Sequence, residues 1–237
     1  MKIIIVVLLG IVIITSGVMT GCKDLVGSGN LETKEYTFSD FTKVDIGTSC
    51  EFDITQSDSY SISITADDNV MQHVRVTKSG DTLKIDLGTF ARPISATLEA
   101  TVTMPRLYDL EASGACHGTI SGFNSSEDLN IEVSGASKVE GDITASNTNF
   151  DISGASTLEL EGTAGDMEAE VSGASHLNLD KFTVNNADVT LSGASNGTVN
   201  VNEILDANLS GASHLRYIGV PRMGDINTSG ASSLNKK

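Results

Sequence analysis

Through the second half of the chain, apolar residues recur at every second position with polar residues between them. Ile131/Val133, Phe150/Ile152, Ala169/Val171 and Val189/Leu191 are such pairs, and so are Leu158/Leu160, Leu177/Leu179 and Val199/Val201. A period of two marks a strand with one face buried. Between a pair of the first kind and a pair of the second stands one word, Ser-Gly-Ala-Ser. Val133 and Val139, Ile152 and Leu158, Val171 and Leu177, and Leu209 and Leu215 straddle it, six residues apart each time. The word begins at Ser134/Gly135, Ser153/Gly154, Ser172/Gly173, Ser192/Gly193, Ser210/Gly211 and Ser229/Gly230, with a variant ending in Cys116 at Ser113/Gly114. Successive intervals are 21, 19, 19, 20, 18 and 19 residues.

Each unit therefore reads as strand, word, strand and a turn-rich remainder such as Glu161–Asp166. About 19 residues make one coil of a narrow parallel β-helix and are too few for a propeller blade. Coils stack at about 4.8 Å, so equivalent residues form ladders. Within the word, Gly permits the backbone angles of a bend, Ala takes little room, and Ser hydroxyls can bond to a neighbouring rung. Uninterrupted alternation would turn Gly and the second Ser inward and Ala outward; a bend inside the word would break that count. Earlier in the chain, Ile46 and Phe52 bracket a degenerate word, Gly-Thr-Ser-Cys (47–50), which predicts an opening coil. Strands follow over 61–65, 73–77, 82–87 and 97–104, with Lys78–Asp81 as a hairpin turn. They are expected to build the first wide coils and cap one end.

Residues 37–47, residues 101–115 and the repeated word resemble the family described as "putative auto-transporter adhesin, head GIN domain". The resemblance spans about residues 30–237. It implies a secreted or lipid-anchored protein with a right-handed β-helix fold, and it carries no established activity and no catalytic residues.

Fifteen Lys and Arg stand against 31 Asp and Glu, a net charge of −16, which argues against a nucleic-acid partner because phosphate contacts need cations. Residues 1–22 have one Lys, an apolar run over Ile3–Ile14 and small residues up to Cys22, the pattern of a signal peptide. Val18–Cys22 resembles a lipobox, in which the Cys is acylated and becomes the N-terminus; an uncleaved membrane anchor is the alternative. Either placement is extracytoplasmic. Residues 23–35 read as a tether, and 36–237 as one β-helix domain, irregular over 36–110 and regular over 111–237.

Candidate chemistry is sparse. Ser195 lies in Gly-x-Ser-x-Gly, but that motif needs a strand-to-helix elbow, and no helix pattern follows. His117, His176 and His214 share the position after the word; two rungs separate the last two, too far to share a zinc. Acidic turns at 65–69, 125–130 and 159–166 could hold calcium, with solvated turns the plainer reading. No cofactor is called for. Cys50 and Cys116 both replace the last Ser of the word. If their coils are adjacent, rung spacing suits a disulfide; with a coil between them, they are two buried thiols. The resulting expectation is a non-enzymatic surface lipoprotein, anchored through Cys22, with glycan or cell-surface binding along its polar ladders. A carbohydrate-active β-helix enzyme is the alternative. Self-association through the final coil is also expected, because an uncapped β-edge invites pairing.

Overall fold

The structure, a computed structural model, describes residues 23–88 and 91–237. The expected leader and Cys22 lie outside the described residues. The chain is all-β with stacked parallel strands, a β-solenoid of about seven turns. Its first third runs β1 (Lys23–Val26), β2 (Leu31–Tyr36), β3 (Lys43–Gly47), β4 (Glu51–Gln56), β5 (Ser61–Asp67), a one-turn helix α1 (Asp68–Met71), β6 (Val74–Ser79), β7 (Thr82–Leu87), β8 (Ala91–Ile94) and β9 (Leu98–Met104). The repeats follow as β10 (Asp109–Ser113), β11 (His117–Asn124), β12 (Leu129–Val133), β13 (Lys138–Thr144), β14 (Thr148–Ile152), β15 (Thr157–Val171), β16 (His176–Leu191), β17 (Asn196–Leu209), β18 (His214–Gly219), β19 (Arg222–Thr228) and β20 (Ser233–Lys236).

Two parallel ladders run the length of the molecule. The segments that enter the word stack in the order β7, β3, β10, β12, β14, the last thirds of β15, β16 and β17, and β19. The segments that leave it stack as β9, β4, β11, β13, the first parts of β15, β16 and β17, β18 and β20. Space and sequence disagree at the start: the coil of β3 and β4 lies between the later coil of β7 and β9 and the coil of β10 and β11. The end beyond β7 and β9 is closed by antiparallel strands, β6 on β7 through the expected hairpin, and β5 on β9 with β2 outside it.

Residues 23–35, expected as a tether, supply two strands. β1 pairs in parallel with β8, and β2 runs antiparallel to β5. Side chains along β2 are exposed from Leu31 to Glu35, so the strand contributes backbone pairing and almost no apolar burial. Its polar composition is what made it look like a linker. Asp67 holds the turn before it: its carboxylate is 3% exposed and accepts from the backbone N–H of Gly29 at 2.6 Å and of Thr97 at 2.7 Å.

The core is built from more than one inward column per ladder. Val133, Ile152, Val171, Leu191 and Leu209 stack in register and are fully buried, each worth roughly 1.5–3 kcal/mol of transfer free energy. Aromatics enter where a neighbouring rung is small. The Phe52 ring occupies the space that a Gly118 side chain would need, and Phe150 meets Phe182 edge-on at 6.2 Å.

The word is a bend. Gly114, Gly135, Gly154, Gly173, Gly193, Gly211 and Gly230 all have φ between 71° and 88°, the left-handed region that L side chains avoid. Gly and Ala therefore both face outward, and only the second Ser turns in: Ser156, Ser175, Ser195 and Ser213 are fully buried. Simple alternation fails because the Gly reverses the count. A Cβ on Gly135 would lie 2.5 Å from the Gly114 carbonyl oxygen, and one on Gly193 would lie 2.5 Å from that of Gly173. The ladder passes through the corner unbroken, with Ala155 N–H donating to Gly135 O at 2.8 Å and Ala174 N–H to Gly154 O at 2.8 Å. In the degenerate first word, Thr48 occupies the Gly column at φ 76°, where a β-branched residue is strained.

Two stability outcomes follow from this corner. Gly173→Val combines a left-handed β-branched residue with a backbone clash and should cost on the order of 3 kcal/mol or more. Ser175→Ala removes the acceptor of the Ser156 N–H and should cost about 1–2 kcal/mol, so urea unfolding midpoints should rank the two variants in that order. Thr48→Gly should raise the midpoint, gaining about 1 kcal/mol by relieving the same conformation; a loss of stability would show that Thr48 is not strained.

Candidate functional site

Polar residues of the alternating strands point outward, so each ladder presents columns of like position. The face that enters the word is acidic. Asp45, Glu111, Glu132, Asp151 and Glu170 stack one per rung. A second column runs Asp109, Asn130, Asn149, Glu168, Asp188 and Asp206. Carboxylates one rung apart repel by about 1 kcal/mol even at the dielectric of water. Lys84 relieves the start of the first column by bonding Asp45. Further along, partial burial holds the Glu111 carboxyl above its ordinary range, with the charges of Asp45 and Glu132 adding to the effect. Burial raises Asp109 similarly, against the pull of Lys43.

At the corner leading into this face, side chains form a ladder of their own. Asn147 donates to Asp128 Oδ1 from its backbone N–H at 3.1 Å and from Nδ2 at 2.9 Å. Asp166 N–H donates to Asn147 Oδ1 at 3.0 Å, and Asn186 Nδ2 donates to Asp166 Oδ1 at 2.7 Å. Alternating carboxylate and amide lets each rung bond to the next where a run of carboxylates would repel. These residues line a trough of about 420 Å³ that continues over Glu168, Asp188 and Asp206.

The face that leaves the word is different. Its first outward column runs Glu51, His117, Lys138, Thr157, His176, Asn196, His214 and Ser233. Its second runs Asp53, Thr119, Glu140, Glu159, Asn178, Thr198, Arg216 and Asn235. Toward the last coils both columns become amide, hydroxyl, imidazole and guanidinium. Here lies a groove of about 420 Å³ bounded by His176, Asn178, Asn196, Thr198, His214 and Arg216. Lys237 pairs with Asp180 at 3.0 Å along its edge, and His214 Nδ1 lies 2.8 Å from Ser233 Oγ. Nearer the capped end, Lys138 bonds Glu140, and that bond holds the Glu140 carboxyl below its ordinary range.

The structure brings the three histidines into one column, as their spacing requires, with Asn196 between His176 and His214. Ser195 is fully buried within a strand-turn-strand corner and donates to Ser192 O at 2.8 Å, so its hydroxyl faces no substrate. The acidic turn at 65–69 serves the fold. Asp67 is consumed as above, Asp68 accepts from Ser28 Oγ at 2.6 Å, and Asn69 Nδ2 donates to Val26 O at 2.7 Å. Among the described residues, no group of three or more His, Cys, Asp or Glu is placed to hold a metal ion. Cys50 and Cys116 sit in adjacent coils at the same position and are free, buried thiols. In the final coil, among the described residues, β19 pairs only with β17 and β20 only with β18, and the exposed Lys236 lies in register with Tyr217 and Val199.

The corner ladder of Asp128, Asn147, Asp166 and Asn186 was not anticipated, although its spacing copies that of the word. Aligning the repeats on the word and reading down every column would have found it.

The class that these features define is a narrow parallel β-solenoid with laddered faces and shallow grooves. Residues 40–221 match the family described as "Putative auto-transporter adhesin, head GIN domain", and the chain belongs to that family. Among solved structures, a putative adhesin from Bacteroides fragilis aligns over 90% of this chain and 100% of its own, at 23% identity and TM-score 0.84. A putative adhesin from Parabacteroides merdae covers 90% of this chain and 99% of its own at 18% identity and TM-score 0.68. A protein from Parabacteroides distasonis titled a putative lipid binding protein covers 91% and 100% at 22% identity and TM-score 0.70. At these identities the likeness establishes the fold. No curated protein matches the chain.

The acidic face makes a pH prediction. Because the folded Glu111 carboxyl titrates above its unfolded value, its contribution is present in acid and is lost as pH rises through that raised value. Glu111→Gln should therefore raise the melting temperature at pH 7 and leave it unchanged at pH 3. An equal shift at both values would mean that charge is not the cause.

Proposed function

We propose that the protein is a non-enzymatic, surface-anchored scaffold that binds glycan along the face leaving the word. Membership of an adhesin family supports a surface role. The observation that carries the ligand class is the pair of in-register columns over the last coils, Thr157, His176, Asn196, His214 and Ser233 beside Glu159, Asn178, Thr198, Arg216 and Asn235. Amides, hydroxyls and imidazoles at a fixed repeat offer the paired donors and acceptors that sugar hydroxyls require, on a rigid backbone that loses little entropy on binding. A polymer with its own repeat engages several rungs at once, so affinity comes from many weak contacts, as in multivalent binding. Glycans that bear acidic groups suit this face better than the opposite one, whose carboxylate columns repel them.

The anchor belongs to the same reading. Residues 1–22 have the composition of a lipoprotein leader, and Cys22 would carry the lipid. No helix among the described residues is long and apolar enough to cross a membrane. For the carbohydrate-active alternative, a lyase-type reaction would use a free base, and of the two cationic side chains in this groove Lys237 is engaged with Asp180 while Arg216, protonated at any ordinary pH, is a poor base.

A glycan array probed with the full chain should show selective retention of polymers over their monosaccharides. The double variant Asn178→Asp/Thr198→Asp, outside the core, should lower that retention about tenfold or more while leaving the circular dichroism spectrum intact. Retention unchanged in the variant would exclude this face. Cys22→Ala should move the chain from the membrane fraction to the soluble one; persistence in the membrane would refute lipid attachment at Cys22.

A further inference from the structure

We propose that Cys50 and Cys116 are a built-in disulfide pair whose oxidation locks the inter-coil contact that joins the residues farthest apart in the chain among the stacked parallel rungs. This rests on the extracytoplasmic placement proposed above. Register fixes their relation. Gly47 pairs with Ser113 and Glu51 with His117, so the four-residue words between them lie one over the other with cysteine on cysteine. Neighbouring parallel rungs are about 4.8 Å apart, inside the usual Cα separation of a disulfide, about 4.4–6.8 Å.

The thiols stand in for the buried serine of the word. Cys116 Sγ donates to Ser113 O at 3.1 Å, the bond that Ser195 makes to Ser192 O at 2.8 Å and Ser213 to Ser210 O at 2.9 Å. It also reaches down to Ile46 O in the coil of Cys50 at 3.7 Å, while Cys50 Sγ donates to Glu51 O at 3.1 Å. The serine column is thus already complementary to either residue, and cysteine adds only the capacity to cross-link.

Position explains why a cross-link is most useful here. Regular rungs pair residues about 19 apart, so each coil can zip onto the one before it. The coil of β3 and β4 must instead meet a coil 66 residues further along, as in the contact of Asp53 with Thr119. The intervening chain, which forms the cap and the β7/β9 coil, has to be looped out. Loop closure is costlier there, and a covalent bond removes more unfolded-chain freedom the longer the loop it closes.

The chemistry is thiol–disulfide exchange with a small-molecule or protein disulfide as oxidant. One cysteine thiolate attacks a sulfur of that disulfide and expels a thiolate. The second cysteine thiolate then displaces the remaining thiol, forming Cys50–Cys116. Two cysteine thiols are oxidised, one external disulfide is reduced to two thiols, and the two cysteine protons end on them. Both thiols are buried in the folded chain, so exchange belongs to assembly, before the looped-out section closes over them.

The test is refolding of the reduced full chain in a glutathione redox buffer, followed by alkylation and non-reducing peptide mapping, which separates Cys22 from the other two. The proposal expects a peptide joining the segments of Cys50 and Cys116, formed at least tenfold faster during refolding than in the folded reduced chain. It also expects a melting temperature about 5 °C or more above that of the reduced chain. Cys116→Ser restores the common word, so Cys50→Ser/Cys116→Ser should fold with an unchanged circular dichroism spectrum and lose all dependence of melting on reductant. Two alkylatable thiols after oxidative refolding, a link through Cys22, or a link without a stability gain would each overturn the proposal. A chain that links in the tube but is trapped reduced from cells would support the pairing and count instead against the extracytoplasmic placement.

Discussion

The architecture depends on a stack of glycines at one corner. Every coil must turn between its two long sides, and each turn must lie flat on the one beneath at the spacing of a backbone hydrogen bond. Those demands conflict for any residue with a Cβ: the left-handed conformation that makes the turn aims the substituent at the carbonyl of the rung below. Glycine satisfies both, and the adjacent Ala N–H then carries the ladder through the bend. The buried Ser completes the corner by bonding backbone that the turn would otherwise strand. At Ser137, Ser156 and Ser175 the hydroxyl accepts an N–H from the preceding coil; at Ser195 and Ser213 it donates to carbonyls. A side chain able to do either tolerates small shifts in rung position, which suits Ser better than Ala at a buried site.

Once the corner is fixed, the faces follow with little freedom. Each side is straight, so inward positions repeat and outward positions repeat with them. A charge placed once is cheap; the same charge placed on successive rungs repels itself. The chain meets that constraint in three ways. Lys84 caps the Asp45 column, amides alternate with carboxylates from Asp128 to Asn186, and the Asp151 and Glu170 column gives way to Thr190 and Asn208. The face leaving the word shows the same economy: like charges do not follow one another on its last rungs, where Arg216 stands between Thr198 and Asn235.

Much of the repeat was legible because its signals reinforce one another. Period-two alternation, a near-constant interval and a recurring Gly each point to stacked coils, and their shared register places His117, His176 and His214 in one column. Inward and outward assignment within the word was not legible, since a single left-handed residue reverses the count without changing composition. The strands at 23–36 were hidden for a related reason: β2 is held by its edge pairing with β5, and its exposed side chains leave no apolar trace. Nor could spacing show that the coil at 82–104 lies beneath the coil at 43–56, because the order of rungs is a non-local fact. Among the candidate site residues, those tied to the repeat fell where expected, while Asp67 and the Asp128 ladder act through hydrogen bonds that pattern alone does not reveal.

The inverted order of the first coils links folding to the shape of the molecule. Contacts from β12 onward join residues about 19 apart and can propagate rung by rung, as in other solenoids. That propagation needs a starting template, and β3 with β4 supplies it only after the chain between them and β10 has been set aside. Closing that section as a layer of antiparallel strands does two things at once: it covers the exposed end of the core, and it ties the costliest loop into a compact cap held by Asp67 and the β6–β7 hairpin. The opposite end has no such layer among the described residues. There the exposed Lys236 follows Val199 and Tyr217 in register. With one end of the core covered by antiparallel strands, the long faces are the broad exposed surfaces of the solenoid.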